Sequence, residues 1–132
     1  MGRSVAITGA RGYIGTMLIE RLMERDEIDR IVAIDVLPFD PIGGKIDSAE
    51  ADVRDPRIAR VIKGCDTVVH LAFVVTAIND LGATYSINLG GSRNLLSACE
   101  DAGIEKLVVA SSLAAYGIQP RDNRPIDEDR PL

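Results

Sequence analysis

Short apolar runs alternate along this chain with segments of helical periodicity, and this alternation limits the possible folds more than any other feature. Five runs are predicted to be β-strands, at residues 4–8, 30–35, 46–53, 67–72 and 106–111. Helical patterns occupy residues 14–22, 55–63 and 81–102. Strands that alternate with helices form a parallel sheet with right-handed crossovers and helices on both faces. We therefore predict an α/β domain with a doubly wound parallel sheet over residues 1–132.

Patterns within these segments predict how each one packs. Charges interleave the run at 46–53, which is typical of an edge strand. Asp55 followed by Pro56 is typical of a helix N-cap and first helical position. The first helix has its apolar positions at Ile14, Met17, Leu18 and Leu22. The long helix is expected to share one apolar face among Leu81, Tyr85, Leu89, Leu95, Leu96 and Cys99. Gly90 and Gly91 within it indicate the close approach of another backbone.

Composition limits the class of protein. Of the residues, 46% are hydrophobic but only 4% are aromatic, so the core must be mainly aliphatic, as in buried parallel sheets. A net charge of −5 argues against binding to nucleic acid. The longest apolar stretch, residues 68–78, is too short for a membrane span, and the first residues offer no signal segment. We expect a cytoplasmic protein with no membrane partner and no metal site, in which Cys65 and Cys99 are buried free thiols.

A glycine-rich turn, Thr8–Gly15, joins the first strand to the first helix. Gly9 permits the tight turn, Gly12 lets the backbone approach a diphosphate, and Gly15 lets the helix pack closely on the sheet. The diphosphate would bind the free N–H groups at the helix N-terminus. The glycine spacing by itself also fits an ordinary strand-to-helix turn.

Asp35 ends the second strand, about 20 residues after Gly15, where dinucleotide-binding domains place a carboxylate. This carboxylate can accept hydrogen bonds from the hydroxyls of an adenosine ribose. It would repel the 2′-phosphate of NADP, which favours NAD as the cofactor. Arg11 argues in the other direction, because its guanidinium could pair with a diphosphate or with a 2′-phosphate. Without the glycine turn, Asp35 would be an ordinary residue of a strand-end turn.

Further segments match a known family in the same order along the chain. They are residues 8–15, Asp35, and the segments 51–55, 70–72, 88–96 and 111–117. On these residues the chain resembles the extended short-chain dehydrogenase/reductase family, the NAD-dependent epimerases and dehydratases exemplified by UDP-glucose 4-epimerase. The resemblance covers essentially the whole chain, including residues 125–131, which resemble the loop before the catalytic helix. It implies a Rossmann-type sheet and NAD as the cofactor.

The resemblance also implies a set of cofactor-binding residues. They are Gly9, Gly12, Tyr13, Ile14, Gly15, Asp35, Asp52, Val53, Leu71, Ala72 and Asn88. Asp52 would bond the adenine amino group while Val53 packs beside the ring; taken alone, the two residues end an edge strand. Leu71 and Ala72 would line the nicotinamide ribose. Asn88 would make a polar contact at the back of the site; taken alone, it is a helix Asn bonded to a nearby carbonyl.

The resemblance implies one catalytic residue in the chain, Ser112, whose hydroxyl would hold the substrate oxygen that gains or loses a proton. Taken alone, Ser112 belongs to an ordinary strand-end turn. His70 is expected to be structural, as a lone His in an apolar strand usually is. Phe73 departs from the small residue that the family often has after Ala72. The family's Tyr-x-x-x-Lys pair does not occur in the 132 residues.

We therefore expect the chain to be the N-terminal part of a longer enzyme whose Tyr and Lys lie beyond Leu132. By itself it should be inactive, bind NAD weakly and expose apolar side chains of residues 107–110. The full-length protein is expected to transfer hydride between NAD and a carbinol carbon of a nucleotide sugar, and to form a homodimer. Two alternatives are a non-catalytic dinucleotide-binding module that regulates or scaffolds a partner, and a reductase or dehydrogenase of the same fold with a non-sugar substrate.

Overall fold

The computed structural model describes residues 2–38, 40, 43–75, 80–117 and 126–129. The strands and α-helices among them are β1 (Arg3–Thr8), α1 (Tyr13–Met23), β2 (Ile28–Asp35), β3 (Ile46–Glu50), α2 (Ile58–Ile62), β4 (Thr67–His70), α3 (Leu81–Tyr85), α4 (Gly91–Ala102) and β5 (Lys106–Val109). A π-helical turn, Ser86–Gly90, joins α3 to α4, and a 3₁₀ turn, Leu113–Tyr116, follows β5. No helix in this part of the chain is long and apolar enough to cross a bilayer. The predicted loop at 125–131 lies outside the described residues except for 126–129.

The strands form one parallel sheet in the order β3-β2-β1-β4-β5, which confirms the predicted Rossmann-type architecture and the edge position of β3. Thr8 at the end of β1 lies opposite Ile34 of β2 and His70 of β4. The carboxyl ends of these strands therefore meet at one edge of the sheet. Because the chain continues from β1 to β2 on one side and reaches β4 on the other, a crevice forms at that edge, the usual place for a ligand in such sheets.

Side chains of the strands alternate between two apolar cores, one on each face of the sheet. On one face, strand residues pack with α2 and α4, and its buried members include Ala6, Val32, Ile34, Val68 and Leu95. On the other face they pack with α1, and its buried members include Val5, Ile7, Ile31, Ala33 and Ile19. Cys65 and Cys99 lie in the first core as buried free thiols, as predicted, and burial raises the pKa of both.

Helix α1 turns a different face to the sheet from the predicted one. Ile14 and Met17 are exposed, whereas Gly15 and Ile19 are buried. Gly15, and not Ile14, is the residue that packs inward, against Gly9 and Ala10 of the glycine turn. Leu18 and Leu22 remain partly buried against the same core.

The long helical segment is interrupted by the π-helical turn, and for this reason its predicted apolar face is wrong at Leu81 and Tyr85. Leu96 lies within α4 but off the buried face of that helix. Leu81, Tyr85 and Leu96 are exposed, and only Leu95 and Cys99 of the predicted face are buried. A π-turn holds more residues than an α-turn, so it shifts the phase of everything that precedes it relative to α4. The buried positions of α4 are Gly91, Leu95, Ala98 and Cys99.

The remaining corrections concern single residues. Asp55 accepts the main-chain N–H of Arg57 at 2.8 Å, but regular α-helix begins only at Ile58. Gly91 approaches a side chain and not a backbone, since a Cβ there would lie 2.5 Å from Cγ2 of Val53, and Gly90 has open space around it. At β5, as predicted, apolar side chains are exposed: Val108 and Val109 are 41% and 47% accessible.

Candidate functional site

A cavity of about 280 Å³ opens at the carboxyl edge of the sheet, where the chain leaves β1, β2, β3 and β4. Its walls are formed by Gly9, Gly12, Asp35, Val36, Ala51, Asp52, Val53, Leu71, Ala72, Phe73, Val74 and Ile87. More than half of these residues belong to the predicted cofactor-binding set. The fold thus brings together five segments that are far apart in sequence.

Five cavity residues are absent from the predicted set. Val36, Ala51, Phe73 and Val74 are chain neighbours or near neighbours of predicted residues, so extending each motif by one or two positions would have found them. Ile87 has no such signal, because its position depends on the π-helical turn. All five are apolar, so they add surface on which a flat ring system can pack, beside the charged groups of Asp35 and Asp52.

The glycine turn is shaped by contacts that exclude a side chain at two positions. Gly9 has a φ of 71°, and a Cβ there would lie 2.8 Å from the main-chain carbon of Leu71. At Gly15 a Cβ would lie 2.9 Å from Cα of Ala10. These distances are far inside van der Waals contact, so the turn, α1 and the segment after β4 can pack together only with glycine at both positions.

The N-terminus of α1 suits an anion. Its N-cap, Gly12, has an extended backbone and no side chain to cap the first-turn N–H groups, and no acidic residue stands in the first turn. Tyr13 and Ile14 are 82% and 60% accessible, so this end of the helix faces solvent beside the cavity. Uncapped amides and the positive end of the helix dipole favour a phosphate group. The predicted diphosphate site fits this arrangement.

Asp35 is bound to the glycine turn. Its Oδ2 accepts the main-chain N–H of Arg11 at 3.0 Å, and its Oδ1 accepts that of Leu37 at 3.1 Å. The residues that precede Arg11 and Asp35 are bonded as well, because the main-chain N–H of Ala10 donates to the carbonyl of Ile34 at 3.1 Å. The carboxylate therefore lies in the same cavity as the glycines, in one fixed orientation.

At the far side of the cavity, Asp52 is paired with Arg54. Nη2 of Arg54 donates to Oδ2 of Asp52 at 2.6 Å, and the main-chain N–H of Arg54 donates to Oδ1 at 2.8 Å. The hydrogen bonds from Arg54 hold the pKa of Asp52 below its usual value. Nη1 of Arg54 also lies 3.3 Å from Oγ of Ser86 in the π-helical turn. Next to this pair, Val53 is buried and bounds both the cavity and the core.

The wall after β4 is held at both ends. Leu71 N–H donates to the Thr8 carbonyl at 3.1 Å. Asn88 makes two bonds with the backbone of Val74: its Oδ1 accepts the N–H at 2.8 Å and its Nδ2 donates to the carbonyl at 3.0 Å. Asn88 therefore does not line the cavity itself but fixes Val74, which does.

His70 lies behind this wall, and its ring contacts only uncharged side chains in the part of the chain that is described. Nδ1 is 2.7 Å from Oγ1 of Thr8, and Nε2 is 3.1 Å from Oγ of Ser92. The ring of Phe73 lies 4.7 Å from the imidazole, centroid to centroid. Burial lowers the pKa of His70, so the imidazole is neutral at pH 7. This agrees with the structural role expected for it.

Ser112 lies after β5, at the same edge of the sheet but outside the cavity walls. It is exposed and is the N-cap of the 3₁₀ turn, where its Oγ accepts the N–H of Ala114 at 3.2 Å. Among the described residues, no group of His, Cys, Asp and Glu side chains could hold a metal ion.

Comparison with known proteins places this geometry in a family. The sequence model of the NAD dependent epimerase/dehydratase family matches residues 5–132. An uncharacterized protein of Mycobacterium tuberculosis is 34% identical over 134 residues, covering 95% of this chain and 36% of that protein. The 3beta-hydroxysteroid-dehydrogenase/decarboxylase isoform 2 of Arabidopsis thaliana is 30% identical over 125 residues, covering 83% of this chain and 22% of that protein. The structure of UDP-N-acetylglucosamine 4-epimerase from Methanobrevibacter ruminantium superimposes with a TM-score of 0.83 at 26% identity, covering 98% of this chain and 43% of the epimerase.

These comparisons agree with the fold. The match begins in β1 and takes in every element of the sheet. The resemblance predicted from the motifs is confirmed, and so is NAD as the cofactor on which the family depends. The chain belongs to the NAD dependent epimerase/dehydratase family.

Proposed function

We propose that residues 1–132 form the NAD-binding domain of an oxidoreductase that moves hydride between NAD and a carbinol carbon of a nucleotide sugar. One observation carries this proposal. The carboxylate of Asp35 is bonded to the N–H of Arg11 in the glycine turn, and Asp35, Gly9 and Gly12 line the same cavity. This is the spatial relationship that recognition of a diphosphate and its adenosine ribose requires.

The glycine turn would hold the diphosphate. Gly9 and Gly15 shape the turn, Gly12 leaves room for the anion because it has no side chain, and Tyr13 and Ile14 would present main-chain N–H groups at the start of α1. The N–H of Gly12 itself donates to the Gly9 carbonyl at 3.0 Å. The N–H of Arg11 is already used by Asp35. The anion would therefore lie further along the turn, towards the helix dipole.

Asp35 would select NAD over NADP. Each of its oxygens accepts one main-chain N–H, and a carboxylate has about four acceptor sites in all. One site on each oxygen thus remains for the two ribose hydroxyls. A 2′-phosphate would have to approach this fixed negative charge, which the uncharged main-chain N–H groups of Arg11 and Leu37 do not cancel.

Asp52 and Val53 would hold the adenine. The Arg54 pair keeps Asp52 ionised, so its carboxylate is only an acceptor, which suits the amino group of adenine and not a ring nitrogen. Because Arg54 already donates to both carboxylate oxygens, the adenine amino group would replace one of these bonds. Val53, with Val36 and Ala51, would supply the apolar surface for the ring.

At the other end of the cavity, Leu71 and Ala72 would face the nicotinamide ribose, with Asn88 fixing the wall behind them. NAD, when bound, supplies the site that accepts and returns a hydride. The hydroxyl of Ser112 would hold the substrate oxygen from which the proton leaves. The proton itself needs a base that the family places on a Tyr-x-x-x-Lys helix.

The substrate class has two candidates. The epimerase of Methanobrevibacter ruminantium acts on a nucleotide sugar, and it matches nearly the whole chain. A hydroxysteroid or another apolar alcohol is the second candidate, supported by the Arabidopsis thaliana relative and by the side chain of Phe73 in the cavity wall. A large aromatic residue there adds apolar surface to the wall.

Titration of the ¹⁵N-labelled chain with NAD, NADP and UDP-glucose tests the proposal. NAD should shift the amide signals of Gly9, Gly12 and Asp35, and NADP should do so more weakly. If saturating NAD leaves these signals in place, the proposal is wrong. A longer polypeptide that contains the chain should also reduce NAD in the presence of a suitable alcohol or epimerise a nucleotide sugar; tight NAD binding with neither activity would favour the non-catalytic module.

A further inference from the structure

A continuous series of hydrogen bonds crosses the interior from the glycine turn to the π-helical turn, and the one histidine of the chain stands at its centre. Thr8 and His70 end β1 and β4 and lie opposite each other in the sheet. Both side chains are buried, at 0% and 1% accessibility. The imidazole bonds Thr8 through Nδ1 and Ser92 through Nε2.

Which group donates in each of these bonds follows from the Asn88 carbonyl, the acceptor at the end of the series. The Ser92 hydroxyl is within hydrogen-bond distance of the Asn88 carbonyl, which can only accept. Ser92 has therefore used its proton and can only accept from His70, so Nε2 carries a hydrogen. In the neutral ring Nδ1 is then an acceptor, and Thr8 must donate to it. Oγ1 of Thr8 in turn accepts the N–H of Leu71 at 3.3 Å, sharing it with the Thr8 carbonyl at 3.1 Å.

One end of this series lies in the cavity wall, and the other is bonded to it. One end is the N–H of Leu71, which borders Gly9 and lines the cavity. The other is the main chain of Asn88, whose side chain makes two bonds with Val74. His70 is thus the link between the two groups that hold the wall at residues 71–74, and Phe73 within the wall packs on its ring.

We propose that His70, fixed as the Nε2–H tautomer by Thr8 and Ser92, is the positioning residue for the wall at residues 71–74, and that through this wall it sets the affinity for the nicotinamide half of the cofactor. The second part rests on the proposed function, because it needs NAD in this cavity. The first part concerns the protein alone and can be tested without any ligand.

The tautomer is measured by long-range ¹H–¹⁵N NMR of the labelled chain, in which the single histidine needs no assignment. We expect an unprotonated Nδ1 and a protonated Nε2 at neutral pH. Ser92→Ala should mix the tautomers and shift the amide signals of Leu71 and Val74, and Ser92→Thr should restore both. Ser97→Ala, at an exposed position of the same helix, is the matched control and should change neither. An Nδ1–H tautomer, or unshifted Leu71 and Val74 signals in Ser92→Ala, would overturn the first part.

The second part is tested by comparing NAD with ADP-ribose, which lacks the nicotinamide. Ser92→Ala should lower the ratio of NAD affinity to ADP-ribose affinity about fivefold, the effect of one net hydrogen bond, while Ser97→Ala leaves the ratio unchanged. Equal losses for both ligands, or no loss, would overturn the positioning role. If the unmodified chain binds neither ligand, the proposed function fails and the second part fails with it, whereas the tautomer measurement still decides the first part.

Discussion

The main-chain N–H of Arg11 donates to Oδ2 of Asp35 at 3.0 Å, so the glycine turn and the end of β2 hold each other in place. Arg11 and Asp35 are separated by the whole of α1, yet the bond joins the two parts of the cavity that would bind the diphosphate and the ribose. A change at Asp35 should therefore affect cofactor choice and the conformation of the turn together.

Asp35→Asn should reduce the preference for NADH over NADPH by about tenfold or more, equivalent to about 1.4 kcal/mol, because it removes the charge that opposes a 2′-phosphate. Fluorescence titration with both reduced cofactors measures the ratio. Asp29→Asn is the control, since Asp29 accepts a main-chain N–H from Gly2 at 2.7 Å near the start of β2 and carries the same charge. A ratio that changes equally in both variants would contradict the role given to Asp35.

Gly15→Ala should destabilise the fold although alanine favours helices. The added Cβ would lie 2.9 Å from Cα and from the carbonyl oxygen of Ala10, main-chain atoms that cannot move aside singly. Such overpacking costs about 1–3 kcal/mol, which outweighs the gain of about 1 kcal/mol from helix propensity.

Gly90→Ala is the matched control for that variant. Gly90 has helical backbone angles of −62° and −46°, and a Cβ there meets nothing within 4 Å. This substitution should raise the free energy of unfolding by up to about 1 kcal/mol. Urea unfolding of both variants gives the two values, and a Gly15→Ala chain as stable as Gly90→Ala would show that α1 does not need its close contact with the turn.

The sequence was sufficient to predict the parallel sheet and the position of Asp35 beside the glycine turn, because both depend on short-range spacing. A strand, a glycine turn, a helix and a second strand place Asp35 beside Gly9 almost without regard to the rest of the chain. The burial of Cys65 and Cys99 could be predicted on a different ground, because free cysteine is among the most buried residue types.

What the sequence did not show depends on contacts between distant segments. Apolar periodicity assumes a constant number of residues per turn, so it extended one face through the π-helical turn and placed Leu81 and Tyr85 in the core. The pair of Asp52 with Arg54 and the two bonds from Asn88 to Val74 need side-chain geometry that no spacing specifies. The partner of Gly91 was misjudged as backbone because a glycine in a helix reveals a close approach but not what approaches.

The contact between Gly91 and Val53 gives a further prediction. In Gly91→Ala the new Cβ would lie 2.5 Å from Cγ2 of Val53, which is 4% accessible and cannot turn away. The variant should lose about 1–3 kcal/mol of stability. In a Val53→Ala background the clashing methyl group is gone, so adding Gly91→Ala should instead be neutral or stabilising by up to about 1 kcal/mol. A double-mutant cycle from urea unfolding measures this coupling, and additive effects would contradict the contact.

His70 predicts how stability depends on pH. Burial lowers its pKa from 6.5 in the folded chain, whereas the unfolded chain keeps the ordinary value. Between the two values the unfolded state binds more protons, so stability falls as the pH decreases. The contribution of the neutral imidazole is complete above pH 6.5 and is lost as the pH falls through the folded pKa. Thr8, Ser92 and Phe73, the side chains in contact with the ring, do not titrate in this range.

Urea unfolding of the unmodified chain and of His70→Gln, measured between about pH 8 and pH 5, isolates this contribution, because the carboxylates titrate in both proteins and cancel in the difference. The stability advantage of the unmodified chain over His70→Gln should be constant at the upper end of the range and should shrink below pH 6.5. An advantage that stays constant over the whole range, or that grows as the pH falls, would mean that the folded protein accommodates a charged imidazole, which the acceptor-only role of Nδ1 towards Thr8 does not allow.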